Sequence, residues 1–197
     1  MTRVEPLPRE QLAEFESFFQ LAEGVMGFVP NSLLTLGRSP ALLQAFSALT
    51  GAVLAGTSLD PHLRTMISMV VSNAAGCRYC QAHTTHTGDH QGLPQEKLDA
   101  VYAFDDSPLF SDAEKAALTV ARAAGFVPNE TTDAMFEELH RHFSELEIVE
   151  IVAVISLFGW LNRWNDTMAT QLEAQPLDFA KERLTPHGWS PGKHDAS

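Results

Sequence analysis

Cysteine is almost absent from this chain. There are two, Cys77 and Cys80, among 197 residues. That is too few for a disulfide-stapled framework, and the length suffices to bury a core without one. Positive charge is also scarce, with 13 Lys and Arg against 25 Asp and Glu and a formal net charge of −12. No basic cluster occurs, so phosphate neutralisation cannot supply affinity and nucleic acid is excluded as a main partner. Anionic membrane surfaces are disfavoured for the same reason. Long apolar runs are missing too. The longest, Ile151 to Trp160, is about half of the ~20 residues that cross a bilayer. The opening stretch MTRVEPLPREQLAEF lacks the apolar core of a secretory signal. These absences lead to the expectation of a soluble, cytoplasmic protein with no nucleic-acid or membrane partner. Thiols there are kept reduced, and a close cysteine pair is more often catalytic or metal-binding than structural.

Alternating strand patterns are absent as well, and nearly every segment reads as helix. The fold class is therefore all-α. Pro8 opens a helix to about Glu23, and Ala41 to Ala55 forms another. Asp60-Pro61 is a cap with proline at the first helical position, starting a helix to about Ala75 that Gly76 ends. A new helix starts at Cys77 and stops between Gly88 and Gly92, and Leu93 to Phe104 follows. Ser111/Glu114 and Ser144/Glu147 are capping boxes, opening helices to about Ala124 and through Trp160, with Thr131 to His142 helical between them. From Gln175 onward, Pro176, Pro186 and Pro191 suggest an irregular C-terminal arm, packed on a neighbouring molecule and frayed at its end.

The sequence also echoes itself. GFVPN occurs at Gly27 to Asn31 and at Gly125 to Asn129, each copy followed by a short amphipathic helix and then a long apolar one. Aligning the long helices at an offset of 85 positions sets Thr65 against Glu150 and Cys77 against Asn162. One domain built from two similar helical repeats is the expectation: residues 27–92 with the cysteines, residues 108–174 without them, and residues 175–197 as the arm.

Three readings compete for GCRYCQAHTTH, Gly76 to His86. In the first, C-x-x-C in the opening turn of a helix sets two sulfurs one turn apart, close enough to bridge. The N–H groups of that turn lower the pKa of the first thiol, Arg78 adds positive charge, and a nearby histidine moves a proton. A thiolate formed there can attack an oxidant, with the second sulfur resolving the product. In the second, Cys77, Cys80, His83 and His86 or His90 bind zinc, although a tetrahedral site normally draws its second ligand pair from a separate element. In the third, the cysteines are small buried residues. The polar company of Arg78, Gln81, His83, Thr84, Thr85 and His86 favours the redox reading. His140 and His142 read as a solvated face and Trp160 and Trp164 as core or interface. Arg163 reads as structural, Tyr79 as a shield between the cysteines, and the methionines as core filler.

The segment LDPHLRTMISMVVSNAAGCRYCQAH resembles the core motif of the carboxymuconolactone decarboxylase/AhpD-like superfamily, and within it the alkylhydroperoxidase-like, peroxidase-related proteins. GFVPNSLLTLGRSPALLQAF and ELEIVEIVAVISLFGWLNRWND resemble that group too, so the likeness runs from about Gly27 to Asp166. The resemblance implies an AhpD-like helical fold, homo-oligomers (dimers, trimers or hexamers), and a thiol peroxidase or disulfide reductase acting on small hydroperoxides. It implies that Cys80 meets peroxide, that Cys77 closes the disulfide, that a dithiol carrier or small thiol resets the pair, and that no metal or other cofactor is needed. Two positions depart from the family pattern. Thr65 stands where a proton-relaying glutamate belongs. Thr84 stands where the family has histidine, with His83 one step early on the same helical face. Glu150, through the repeat, and His86 are the proposed substitutes for the relay. General acid–base help is typically worth ~10²–10⁴-fold, so these departures imply a slower enzyme. The rivals are a lactone decarboxylase-like enzyme without thiol chemistry and a non-catalytic redox-sensing oligomer.

Overall fold

The computed structural model describes residues 2–195. Among them are ten α-helices and no strand, as in the AhpD-like fold. They are α1 (Glu16–Met26), α2 (Asn31–Leu36), α3 (Pro40–Thr50), α4 (Pro61–Ala74), α5 (Arg78–His90), α6 (Gln95–Ala100), α7 (Asp112–Gly125), α8 (Asp133–His142), α9 (Glu145–Met168) and α10 (Ala174–Arg183). The cap signals act as the sequence implies. Asp60 accepts from the Leu63 N–H, and Ser111 and Ser144 each form a reciprocal capping box with the glutamate three residues on.

Helix α4 lies at the centre, packed against α5, α7 and α9. Its apolar residues Met66, Ile67, Met69, Val70 and Val71 are buried, and they meet Leu118 and Val120 from α7 and Ile151 and Val154 from α9. Each such side chain contributes about 1.5–3 kcal/mol of burial. Close approach of α7 to α4 requires Gly125, where a Cβ would fall 2.7 Å from the Ala74 Cβ and 3.0 Å from the Val71 carbonyl oxygen.

The boundary between α4 and α5 forms the functional corner. Gly76, at φ +72°, donates to the Asn73 carbonyl, and the Cys77 N–H donates to the Ser72 carbonyl. These paired bonds terminate α4 in a Schellman turn, which needs a residue in the left-handed region. Cys77 thus closes α4 and caps α5 in the same step.

The structure corrects several sequence expectations. Residues 174–183 are helical, because Pro176 falls in the first turn of α10, where its missing N–H has no intrahelical partner to lose. The arm packs on its own chain: the Trp189 indole N–H donates to the Arg78 carbonyl at 3.2 Å. Residues 196 and 197, part of the expected frayed end, lie outside the described residues. The N-terminal helix is split into a 3₁₀ segment, Arg9–Phe15, and α1, with Leu12 out of helical geometry. Leu93 to Phe104 is likewise divided into α6 and a 3₁₀ segment, Val101–Asp106. The two GFVPN copies take different backbones. Gly27 is left-handed after α1, whereas Gly125 is the last residue of α7.

Candidate functional site

Helix α5 is a polar helix set into an apolar molecule. It is tolerated because its hydroxyls satisfy themselves locally. Thr84 Oγ1 donates to the Cys80 carbonyl and Thr85 Oγ1 to the Gln81 carbonyl, each at 2.8 Å. Cys77 is the N-cap of α5, and its sulfur accepts from the Cys80 N–H at 3.4 Å. Both cysteines are free thiols and both are buried.

Cys80 lies on the wall of a cavity of about 290 Å³. The wall is mostly apolar, with Phe18, Leu33, Phe46 and Leu161 among its residues, and His83, Thr65 and Asn165 add polar groups. Asn165 Nδ2 donates to Cys80 Sγ at 3.7 Å. Burial pushes the Cys80 thiol well above its ordinary pKa, and the neighbouring Cys77 sulfur pushes the same way, against the pull of the Asn165 N–H. The sequence reading assigns activation by the helix start to the first thiol, Cys77, and Cys80, the sulfur on the cavity wall, has no such help. The N–H that closes the first turn serves Cys77, and burial dominates at Cys80. Deprotonating Cys80 requires a base.

His83, one turn after Cys80, also lines the cavity. Its Nε2 lies 2.5 Å from Glu173 Oε2. Tyr79 stacks on the imidazole, with ring centroids 4.0 Å apart, and Phe28 meets it edge-on at 5.1 Å. Glu173 is itself fixed through Oε1, which accepts from the Asn31 N–H at 2.5 Å and the Tyr79 hydroxyl at 3.0 Å. Burial raises the Glu173 pKa, but the charge and hydrogen bond of His83, together with backbone N–H donors, outweigh it and leave the carboxyl below its ordinary range. An ionised carboxylate thus clamps an imidazole beside a protonated thiol.

Glu173 is the residue that sequence reasoning missed. It precedes α10, and the signal was available: an acidic residue with proline three positions later marks a helix start. Reading the prolines of the arm as irregular structure hid it. Glu150 is placed elsewhere. Its carboxylate accepts from the backbone N–H and the hydroxyl of Ser58, at 3.2 and 2.8 Å, an exposed position at the entry to α4. His86 lies outside the cavity wall, between Phe28 and Phe179, and burial together with the charges of His83 and His90 lowers its pKa. Thr65 Oγ1 lies 2.7 Å from Gln91 Oε1, so the position of the family glutamate carries a neutral polar pair. The zinc candidates are not gathered into a site: among the described residues no cluster of three or more His, Cys, Asp or Glu is spaced to hold a metal ion. Tyr79 holds the Glu173–His83 pair rather than merely screening the sulfurs. His140 is exposed and His142 bonds Glu138 at 3.1 Å, away from the site. Trp160 stacks on Phe46 and Trp164. Among the described residues no helix is long and apolar enough to cross a membrane.

Residues 40–123, which contain the whole α4–α5 corner, match the carboxymuconolactone decarboxylase family. The uncharacterised protein YnjA of Escherichia coli K12 is 32% identical over 143 residues, covering 72% of this chain and 79% of that protein. Among solved structures, the debrominase Bmp8, crystallised as a cysteine-to-alanine variant with 2,3,4-tribromopyrrole, is 36% identical with a TM-score of 0.88, covering 92% of this chain and 97% of its own. An uncharacterised peroxidase-related protein from Ralstonia eutropha JMP134, described as an alkylhydroperoxidase AhpD core, is 25% identical with a TM-score of 0.71, covering 86% of this chain and 88% of its own. With its α4–α5 motif, all-helical fold and these relatives, the chain belongs to the carboxymuconolactone decarboxylase/AhpD-like superfamily.

Proposed function

We propose that the protein is a thiol-dependent oxidoreductase that takes a halogen or a peroxide oxygen from a small apolar molecule held in the cavity. One observation carries this reading. Of the two sulfurs, only Cys80 belongs to the cavity wall, with Cys77 one helical turn behind it at hydrogen-bonding distance from its N–H. A substrate in the cavity meets one nucleophile, and the resolving sulfur waits on the protein side.

The steps balance without another group. His83 takes the Cys80 proton, and Glu173 stabilises the resulting imidazolium. The Cys80 thiolate attacks the heteroatom. With an organic halide the carbon–halogen bond breaks, an S–halogen bond forms, and His83 returns its proton to the departing carbanion. With a hydroperoxide the O–O bond breaks, Cys80 becomes a sulfenic acid, and the alkoxide takes the proton. Cys77 then attacks Cys80, expelling halide (with a proton) or water, and a disulfide remains. The substrate gains two electrons and the dithiol loses them.

An organic halide on a small aromatic ring is the first reading, because the likeness to a debrominase runs over nearly the full length of both chains. Hydroperoxide reduction is the second, supported by the likeness to an AhpD core. The test is a single turnover of reduced protein with a polybrominated pyrrole and, separately, with cumene hydroperoxide. Bromide release or hydroperoxide loss is expected in proportion to thiols oxidised, and Cys80→Ser is expected to abolish it. Equal activity in wild type and Cys80→Ser overturns the proposal in favour of chemistry without thiols. No turnover of either compound by protein whose thiols are fully reduced overturns both readings.

A further inference from the structure

The two sulfurs are not equally reachable, and this bears on what resets them. Cys80 faces the cavity. Cys77 is 1% exposed and is not part of the cavity wall; it sits in the apolar cluster it shares with Cys80, Leu172 and, from the C-terminal arm, Leu184 and Trp189. The arm is fastened over it. The Trp189 indole N–H holds the carbonyl of Arg78, the residue after Cys77, at 3.2 Å. The Leu172 N–H donates to the His194 carbonyl at 2.9 Å, and Arg183 Nη2 donates to Gln95 Oε1 at 2.9 Å.

Thiol–disulfide exchange requires the attacking thiolate to approach one sulfur from the side opposite the bond that breaks. With the arm docked, the cavity is the side from which a sulfur is met, and the sulfur met there is Cys80. Cys77 is then the leaving thiolate, and the N–H donor at the start of α5 awaits it. The cavity mouth includes Leu21 and Val25, exposed at 56% and 41%. A folded carrier protein presents its thiol on a broad surface, which cannot follow a substrate into a space of about 290 Å³.

Resting on the proposed thiol chemistry, we infer that the oxidised pair is reset from the cavity side by a compact low-molecular-weight thiol attacking Cys80, and not by a dithiol carrier protein attacking Cys77. The first thiol forms a mixed disulfide with Cys80 and releases Cys77 as thiolate. A second thiol attacks the sulfur of the first, releasing the small disulfide and the Cys80 thiolate. Two thiols are oxidised, two protein sulfurs are reduced, and protons are conserved. Substrate and reductant then occupy the same space in turn, so turnover is ping-pong and excess thiol competes with substrate.

The test separates this inference from the reading beneath it. Full-length protein is oxidised with diamide, and disulfide formation is verified by mass spectrometry. Absence of a Cys77–Cys80 bridge removes the thiol reading itself and this inference with it. The oxidised protein is then reduced in parallel by 2-mercaptoethanol and by thioredoxin. Acid quenching, followed by alkylation, locates the transient adduct. The inference expects the 2-mercaptoethanol adduct on Cys80 with Cys77 alkylated, and a second-order rate constant for thioredoxin at least tenfold below that for the small thiol. Trp189→Ala, by uncovering Cys77, is expected to raise the thioredoxin rate at least tenfold. The wild-type comparison decides even where that variant folds poorly. An adduct on Cys77, or thioredoxin reducing wild-type protein faster than 2-mercaptoethanol, overturns the inference.

Discussion

At the scale of single residues, the chemistry depends on how a buried thiol is made to ionise. Asn165 supplies a side-chain donor to Cys80 Sγ. A hydrogen bond to a charged group contributes about 1.5–3 kcal/mol, so Asn165→Leu is expected to slow alkylation of Cys80 by iodoacetamide roughly 10- to 100-fold at fixed pH. A rate profile against pH, read on a Cys77→Ser background, checks this, and an unshifted profile removes Asn165 from the mechanism. Glu173 acts one step further out, through His83. Glu173→Gln can still accept from the Asn31 N–H but loses the carboxylate that pairs with imidazolium. Activity is expected to fall by roughly 10²-fold while the fold holds, and adding His83→Ala to Glu173→Gln should cost little more, because the two residues work as a unit. Additive losses would separate their roles.

At the scale of elements, the sequence-legible features were those encoded by near neighbours. Ser111 with Glu114, Ser144 with Glu147, Asp60 before Pro61 and Gly76 after α4 each state a boundary in a few residues, and each boundary is where the structure has it. Loss of one cap is measurable. Ser111→Ala removes the hydroxyl that accepts from the Glu114 N–H and leaves the backbone N–H that donates to the Glu114 carboxylate; it is expected to cost about 1 kcal/mol, a fall of roughly 2–4 °C in melting temperature for a chain of this size. What stayed hidden was long-range. The Cys–x–x–Cys motif and His83 were readable, but the partner of His83 lies 90 residues away along the chain, and no local pattern joins the two. Glu150 was proposed instead because an offset of 85 aligned it with Thr65. The same offset relates Cys80 to Asn165, and those two do touch. An alignment offset specifies pairs of positions, not what each side chain faces. Burial was the other hidden term, since the motif marks Cys80 as a nucleophile while the packing around it and the adjacent Cys77 sulfur hold its thiol protonated.

At the scale of the whole molecule, the C-terminal arm joins two apolar clusters, and the link passes through one carboxylate. Glu173, the N-cap of α10, stands at the entry to the arm, while Asn31, Tyr79 and His83 belong to the body. The folded-state pKa of Glu173 is depressed. Its contribution to stability is therefore fully present above the ordinary carboxylate pKa, ~4.3, and is lost as pH falls through its lower folded value. Protonation removes the negative partner from beside a buried imidazole, and breaking a buried pair from one side costs about 3–5 kcal/mol. The core around α4 is built of apolar side chains such as Met66, Ile67, Leu118 and Ile151 and should outlast it. Acidification is therefore expected to free the arm before the molecule unfolds. Hydrogen exchange at the Leu172 amide, bonded to His194 of the arm, and at the Trp189 amide, bonded within the arm, should accelerate relative to intrinsic rates below about pH 4, while amides of α4 stay protected. In Glu173→Gln the neutral side chain cannot titrate, so the arm should exchange faster at neutral pH and show no added acid step. Simultaneous loss of protection in arm and core would mean that the arm is not held by this carboxylate, and the sealing of Cys77 would then rest on Trp189 and its apolar neighbours alone.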